Sequence, residues 1–188
     1  ELDKYVDIVA ESNRFLVENI IPDFISLSDL RFILTSLIRE KISVKDIVYI
    51  FEKINDFAED SSKSDLLKKI RLSLSRQICK KNANEDGIIT AIEMSEKTLD
   101  KFNPNFDESD DAIIRIDADF AEKLAEKLKQ KIHQSELDNP KLFVPMEFRH
   151  LIFTLLSNYM NDITVLSREE IGLSLIHISE PTRQAEIS

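Results

Sequence analysis

Glycine, tryptophan and cysteine are nearly absent from this 188-residue chain: there are 2 Gly, no Trp and 1 Cys. Each scarcity excludes something. Nucleotide-binding loops need closely spaced glycines so that backbone can approach phosphate, and Gly87 and Gly172 are 85 residues apart. A nucleophile elbow fails for the same reason. The single Cys79 allows no internal disulfide and no cysteine metal cluster, and it fits a reducing compartment. Positive charge is also short, with 25 Lys+Arg against 35 Asp+Glu and a net charge of −10. A general nucleic-acid binder needs a basic field to displace counterions, so nucleic acid is not an expected partner. No apolar run approaches the roughly 18 residues that suggest a membrane span. Glu1 is not a start methionine and no signal peptide precedes it, so the N-terminus is expected to be a cut.

What remains is globular. Apolar residues make up 43% and charged residues 32% of the chain. The first half reads as successive amphipathic helices. Leu2, Tyr5, Val6 and Val9 recur at helical spacing, and Phe15, Leu16, Asn19 and Ile20 continue on one side until Pro22. Ser26 with Asp29, or Ser28 alone, caps the next helix, whose stripe is Leu30, Ile33, Leu34, Leu37 and Ile38. Ser43, three before Asp46, reads as a shortened capping box ahead of Ile47, Ile50, Phe51 and Ile54. Leu66, Leu67, Ile70, Leu74 and Ile78 mark one further helix.

Beyond residue 82 the pattern changes. Strands are expected at Ile88–Ile92, around Ile113, Ile114 and Ile116, at Leu142–Val144 and at Ile163–Leu166. Between them lie a short helix near Glu96–Phe102, a long one carrying Phe120, Leu124, Leu128 and Ile132 after Asp117 or Asp119, and one carrying Phe148, Leu151, Ile152, Leu155 and Tyr159. The acidic stretch Asn103–Asp111 and the run Asp138-Asn139-Pro140 read as a loop and a turn. The fold class expected is therefore α+β: an all-helical subdomain over residues 1–86, then a small α/β subdomain over 87–172 with about four short strands and flanking helices.

The segment 173–188, LSLIHISEPTRQAEIS, shows no useful helical or strand period. Its first eleven residues match the translation of a transposase-type sequencing adapter, and it is expected not to be native. Without Glu180, Arg183 and Glu186 the remaining 172 residues hold 24 basic and 33 acidic groups, net −9.

One motif has the spacing of a metal site. Asn82, Asn84, Asp86, Gly87 and Glu93 follow the pattern of a calcium loop, in which carboxylate and amide oxygens wrap a hard cation and the last Glu binds bidentately. Asn replaces the first acid, and no second such loop is present to pair with it. A polar turn entering a strand is the simpler reading, so no metal is expected. His133, His150 and Cys79 lack partners at ligand or nucleophile spacing. No catalytic constellation emerges and no cofactor is implied, so an interaction function is expected in place of an enzyme.

The segment Pro22–Phe57, PDFISLSDLRFILTSLIREKISVKDIVYIFEKINDF, resembles the pattern of the large export-gate family of type III secretion, the FHIPEP family. IRLSLSRQI at 70–78 resembles the family's next block and VLSREEI at 165–171 its closing one. Lys45 stands where that pattern usually has Arg, and Phe51-Glu52-Lys53-Ile54 where it has Leu-Glu-x-Leu. The resemblance implies the C-terminal part of a cytoplasmic domain, with 1–86 as the ring-building subdomain and 87–172 as the terminal one. It implies a parent protein held in the bacterial inner membrane by a region preceding this segment, a homo-nonameric ring on the cytoplasmic face, and export chaperones, secreted substrates and other export-apparatus proteins as partners. The family's chaperone groove lies mostly upstream. The tripeptide Arg76-Gln77-Ile78 leans to the flagellar branch over the injectisome branch. On the matched blocks, Arg39, Glu40, Lys45, Asp46, Arg71 and Arg76 are candidates for helix packing or subunit contact. The alternative function is a stand-alone helical protein-binding module with a weak calcium loop at 82–93.

Overall fold

A computed structural model describes residues 8, 11, 12, 14, 25–59, 61–102, 118–134, 141–171 and 176–179. The chain divides into two compact units, Glu1–Ile78 and Cys79–Ser188. The division falls eight residues before the 86/87 boundary read from the sequence pattern.

In the first unit, Ile8, Glu11, Ser12 and Arg14 are helical. Helix α1 (Leu27–Arg39) starts where Ser26 accepts from the Asp29 N–H, while Asp29 accepts in return from the Ser26 N–H. This reciprocal capping box satisfies two backbone donors that the first helical turn leaves without partners. Leu30, Ile33, Leu34 and Leu37 are buried along its inner face, as their 3–4 spacing requires. At the other end, Ile42 N–H donates to the Leu37 carbonyl and Lys41 N–H to that of Ile38. That is a Schellman stop, with Lys41 in the left-handed region at φ 58° and the following Ile42 buried. A side chain with a Cβ is strained there. Lys41→Gly is therefore expected to raise stability by about 1 kcal/mol, seen as a higher urea midpoint with an unchanged slope.

Helix α2 (Ile47–Phe57) buries Ile47, Ile50, Phe51 and Ile54. Its cap is Asp46, which accepts from the Tyr49 N–H at 3.2 Å. Ser43 instead accepts from the Lys45 N–H at 3.3 Å, so the shortened capping box expected at Ser43 does not form. The two residues between Ser43 and Asp46 leave Ser43 short of the first helical turn, whereas Asp46 adjoins it.

Helix α3 (Lys63–Ser73) is capped by Ser62 and buries Leu66, Leu67, Ile70 and Arg71. The single helix expected to continue to Ile78 breaks at Leu74, and α4 (Ser75–Asn82) follows. Ser73 Oγ donates back to the Lys69 carbonyl at 3.1 Å, a bond that competes with the helical ladder at the break. Asp65 accepts from Ser62 Oγ and lies near Lys68, and these partners, led by the Ser62 bond, hold its carboxyl below the usual range. A lowered folded pKa means the contribution is complete above the unfolded value and is lost as pH falls through the folded one. Asp65→Asn is accordingly expected to lower stability at pH 7 and flatten its decline below about pH 4, measured as denaturation midpoints across an acid series.

Among the described residues, the second unit is built on a four-stranded, all-parallel sheet in the order β3-β2-β1-β4. Its strands are β1 (Ile89–Glu93), β2 (Lys141–Val144), β3 (Thr164–Ser167) and β4 (Ile176–Ser179). Three coincide with the expected apolar runs. Parallel strands are covered on both faces and read as continuous apolar stretches; Leu142, Phe143 and Val144 are buried in succession. The strand expected around 113–116, the loop at 103–111 and the turn at 138–140 lie outside the described residues. The fourth strand comes from the tail, whose sequence carries no strand period of useful length.

The helices of this unit are α5 (Glu96–Leu99) with a 3₁₀ turn at Asp100–Phe102, α6 (Ala118–Gln134), α7 (Met146–Ser157) and α8 (Arg168–Ile171). Leu124 and Leu128 of α6 and Leu151, Ile152 and Leu155 of α7 pack with Ile92, Leu142 and Val165 in one core. Asp119 lies inside α6, where it pairs with Lys123.

Candidate subunit-contact site

The six polar residues singled out on the matched blocks separate into two groups. Arg71 sits on the apolar face of α3, between Leu67, Ile70 and Leu74, and its side chain is only 2% exposed. Glu40, at the C-cap of α1, meets it: Arg71 Nη1 lies 2.5 Å from Glu40 Oε2, with Glu40 5% exposed. Guanidinium stays charged at any accessible pH, so the carboxylate is what allows it to remain inside. Asp46 is occupied as the α2 cap. Beside this pair, Gln77 donates through Nε2 to the Ser43 carbonyl at 3.0 Å, and Tyr49 Oη donates to the Ser73 carbonyl at 3.2 Å. These bonds draw the 40–46 turn and the start of α2 against α3 and α4.

Arg39, Lys45 and Arg76 are exposed on the same structure. Val48 and Leu72 are large apolar side chains left 47% and 37% exposed. Glu40 and Arg71 are thus buried in packing, Asp46 is an exposed helix cap, and Arg39, Lys45 and Arg76 face outward.

The second unit contains a pair that sequence reasoning passed over. Arg149 on α7 is 1% exposed and Glu170 on α8 is 0% exposed, with Arg149 Nε 3.5 Å from Glu170 Oε1. Glu170 Oε2 accepts from the Ser167 N–H at 3.2 Å, and Ser167 Oγ accepts from the Glu170 N–H at 3.3 Å. The block VLSREEI is therefore a buried capping box tied to an arginine. The available signal was the S-x-x-E spacing of Ser167 and Glu170.

The calcium-loop residues are used otherwise. Asn84 Oδ1 accepts from the N–H groups of Asp86 and Ile88, at 3.1 and 2.8 Å, and Gly87 takes φ +78°. This is an Asx-type turn that needs glycine at its left-handed position. Glu93 bonds Arg168 at the far end of β1. Asn82 and Asp86 are half-buried and exposed, respectively. Among the described residues no group of His, Cys, Asp and Glu is arranged to hold a metal ion. Cys79 is half-buried, its Sγ 3.5 Å from the Ile171 carbonyl. An apolar crevice of about 30 Å³, lined by Ile92, Met94, Leu124, Leu128 and Leu142, has space for a water or a methyl group. Among the described residues no helix is long and apolar enough to cross a membrane.

The class these features define is that of the FHIPEP family, whose pattern matches residues 1–175. The chain belongs to that family. It is 26% identical over 175 residues to the flagellar biosynthesis protein FlhA of Bacillus subtilis, an alignment covering 91% of this chain and 26% of FlhA. The chain thus spans about a quarter of the length of that relative. In fold it resembles the Shigella flexneri MxiA protein, with TM-score 0.75 and 24% identity over 94% of this chain and 56% of that one. It likewise resembles the nonameric SctV-C of EPEC, with TM-score 0.70 and 18% identity over 96% and 55%.

Proposed function

We propose that this chain is part of a type III protein export gate, on the cytoplasmic face of the bacterial inner membrane, where it builds a ring beneath the secretion channel and docks export substrates and their chaperones. The carrying observation is the family match over residues 1–175. The nonameric state of SctV-C supports a ring of the same kind here. The flagellar branch is favoured because the sequence relative is a flagellar protein, whereas likeness to injectisome proteins below 25% identity speaks to fold alone. The role is docking and gating, without bond-making chemistry or a cofactor. Residues 1–86 act as the ring-building part and 87–172 as the terminal part. Residues 173–188 stand outside the native protein, a reading that rests on the adapter-like sequence LSLIHISEPTR at 173–183.

Within the ring, Arg39, Lys45 and Arg76 are the contact cations, and a neighbouring copy of this acidic chain supplies carboxylates for them. The test is a chimaera in which residues 1–172 replace the corresponding quarter of Bacillus subtilis FlhA. It is expected to restore swimming in a strain lacking FlhA. Reversing all three cations to Glu is expected to abolish swimming and ring assembly while leaving the melting temperature within about 2 °C, since exposed substitutions change stability little. A folded, expressed chimaera that never supports swimming refutes the gate reading. A triple variant that still assembles refutes the contact assignment alone.

A further inference from the structure

The crevice in the second unit joins apolar walls to a basic border. Met94, Leu124, Leu128 and Leu142 are each 8% exposed or less and form the walls. Its volume of about 30 Å³ admits the methyl tip of an aliphatic side chain. Lys127 and Lys131 line the same crevice. They stand four residues apart on α6, so both fall on one flank of the helix, beside Leu124 and Leu128. Lys127 is exposed and Lys131 half-buried. Lys123 continues the row outside the crevice, where Asp119 pairs with it. Glu122 and Glu126 of the same helix are exposed and take no part in the lining. Among the described residues the one lining carboxylate is Glu93, and it already bonds Arg168.

These features select a ligand jointly. An apolar notch retains a methyl group through the area it removes from water. A carboxylate beside two ammonium groups adds attraction, at the modest strength of partly exposed pairs. The chain as a whole carries 35 acidic against 25 basic groups, so its average field repels anions while this flank draws them.

We propose that the crevice docks an acidic peptide segment of a partner protein. One Leu or Met side chain of the segment enters the notch, and carboxylates on either side of it meet Lys127 and Lys131. Four residues of helix advance by about 6 Å, close to the span between residues two apart in an extended peptide. The apolar tip sets the position of the ligand and the lysines set its sign. The inference does not rest on the export role, because it is read on this unit alone.

The probe is a fluorescein-labelled peptide, Glu-Asp-Glu-Leu-Glu-Asp-Glu, titrated with the full-length chain and followed by anisotropy. Saturable binding is expected with a Kd below about 1 mM, weakening several-fold as salt rises from about 0.05 to about 0.5 M. With the methionine methyls labelled, the Met94 signal is expected to shift on titration while those of Met146 and Met160 stay in place. Lys127→Glu together with Lys131→Glu is expected to weaken binding by about tenfold or more. Exchanging the peptide's leucine for serine is expected to weaken it by about tenfold. No saturable binding, an unmoved Met94 signal, a double variant that binds as the parent does, or a serine peptide that binds as well as the leucine one each overturns the proposal. If the peptide binds only once Asp107→Asn, Glu108→Gln, Asp110→Asn and Asp111→Asn are made together, the chain's own acidic run is the occupant and the proposal falls. It falls equally if sedimentation shows a self-association of the parent that Lys127→Glu abolishes, since a second copy is then the occupant. Should the double variant not fold, Lys127→Glu alone, at an exposed position, decides by the same comparison.

Discussion

Glu40→Ala is expected to destabilise the first unit by about 3–5 kcal/mol. Arg71 is enclosed among Leu66, Leu67 and Ile70, all buried, and its charge is balanced where Nη1 meets Glu40 Oε2 at 2.5 Å. Truncating Glu40 leaves an ionised guanidinium in an apolar setting without that counter-charge. Arg71→Ala strands a carboxylate in turn and opens a cavity on the buried face of α3. Replacing both residues with Leu and Met is expected to cost less than either single change, because a buried pair repays its desolvation only in part. Chemical denaturation followed by amide exchange in Leu27–Ser73 measures all three variants. The outcome separates two roles that the sequence left open for these residues. An exposed pair acting only at a subunit contact would cost less than about 1 kcal/mol in the isolated chain. A single change worth several kcal/mol, against a typical total of about 5–15 kcal/mol, is the signature of internal packing.

Much of this was legible wherever one periodicity governed a segment. The stripe Leu30, Ile33, Leu34, Leu37 has one amphipathic solution, and Ser26 with Asp29 marks its start. The runs Leu142–Val144 and Val165–Leu166 were legible because strands buried on both faces are apolar throughout. The break at Leu74 was not, since Leu66 through Ile78 keep helical spacing across it and the competing Ser73 bond is local. The cap at Asp46 is not legible against Ser43 because both are good cap residues and only the chain geometry shows which adjoins the first helical turn. At the candidate site, the matched blocks named Glu40 and Arg71 without showing that they face each other. A cation in the middle of an apolar stripe, as Arg71 is between Leu67 and Leu74, needs a buried partner. That partner is 31 residues away in sequence, so only the fold supplies it.

Glu170→Ala is expected to produce a loss of similar size in the second unit, about 3–5 kcal/mol. One carboxylate there meets two demands. Its Oε1 faces Arg149, and its Oε2 accepts the Ser167 N–H that opens α8. Removing it takes a counter-charge from a buried guanidinium and an acceptor from a buried backbone donor together. Ser167→Ala removes only the hydroxyl half of the capping box and is expected to cost about 0.5–2 kcal/mol. Glu170→Gln is expected to fall between them, since an amide oxygen still accepts from Ser167 but brings no charge to Arg149. At about 4–8 °C per kcal/mol for a domain of this size, Glu170→Ala shifts the melting temperature of this unit by about 15 °C or more. The ordering of losses, largest for Glu170→Ala, then Glu170→Gln, then Ser167→Ala, tests the division of labour within the carboxylate. Equal losses for Glu170→Ala and Ser167→Ala would mean the capping box alone holds the residue in place and Arg149 finds its compensation elsewhere. The expected ordering instead makes the closing block VLSREEI a packing element, whose loss is read in the isolated chain before any ring assembles.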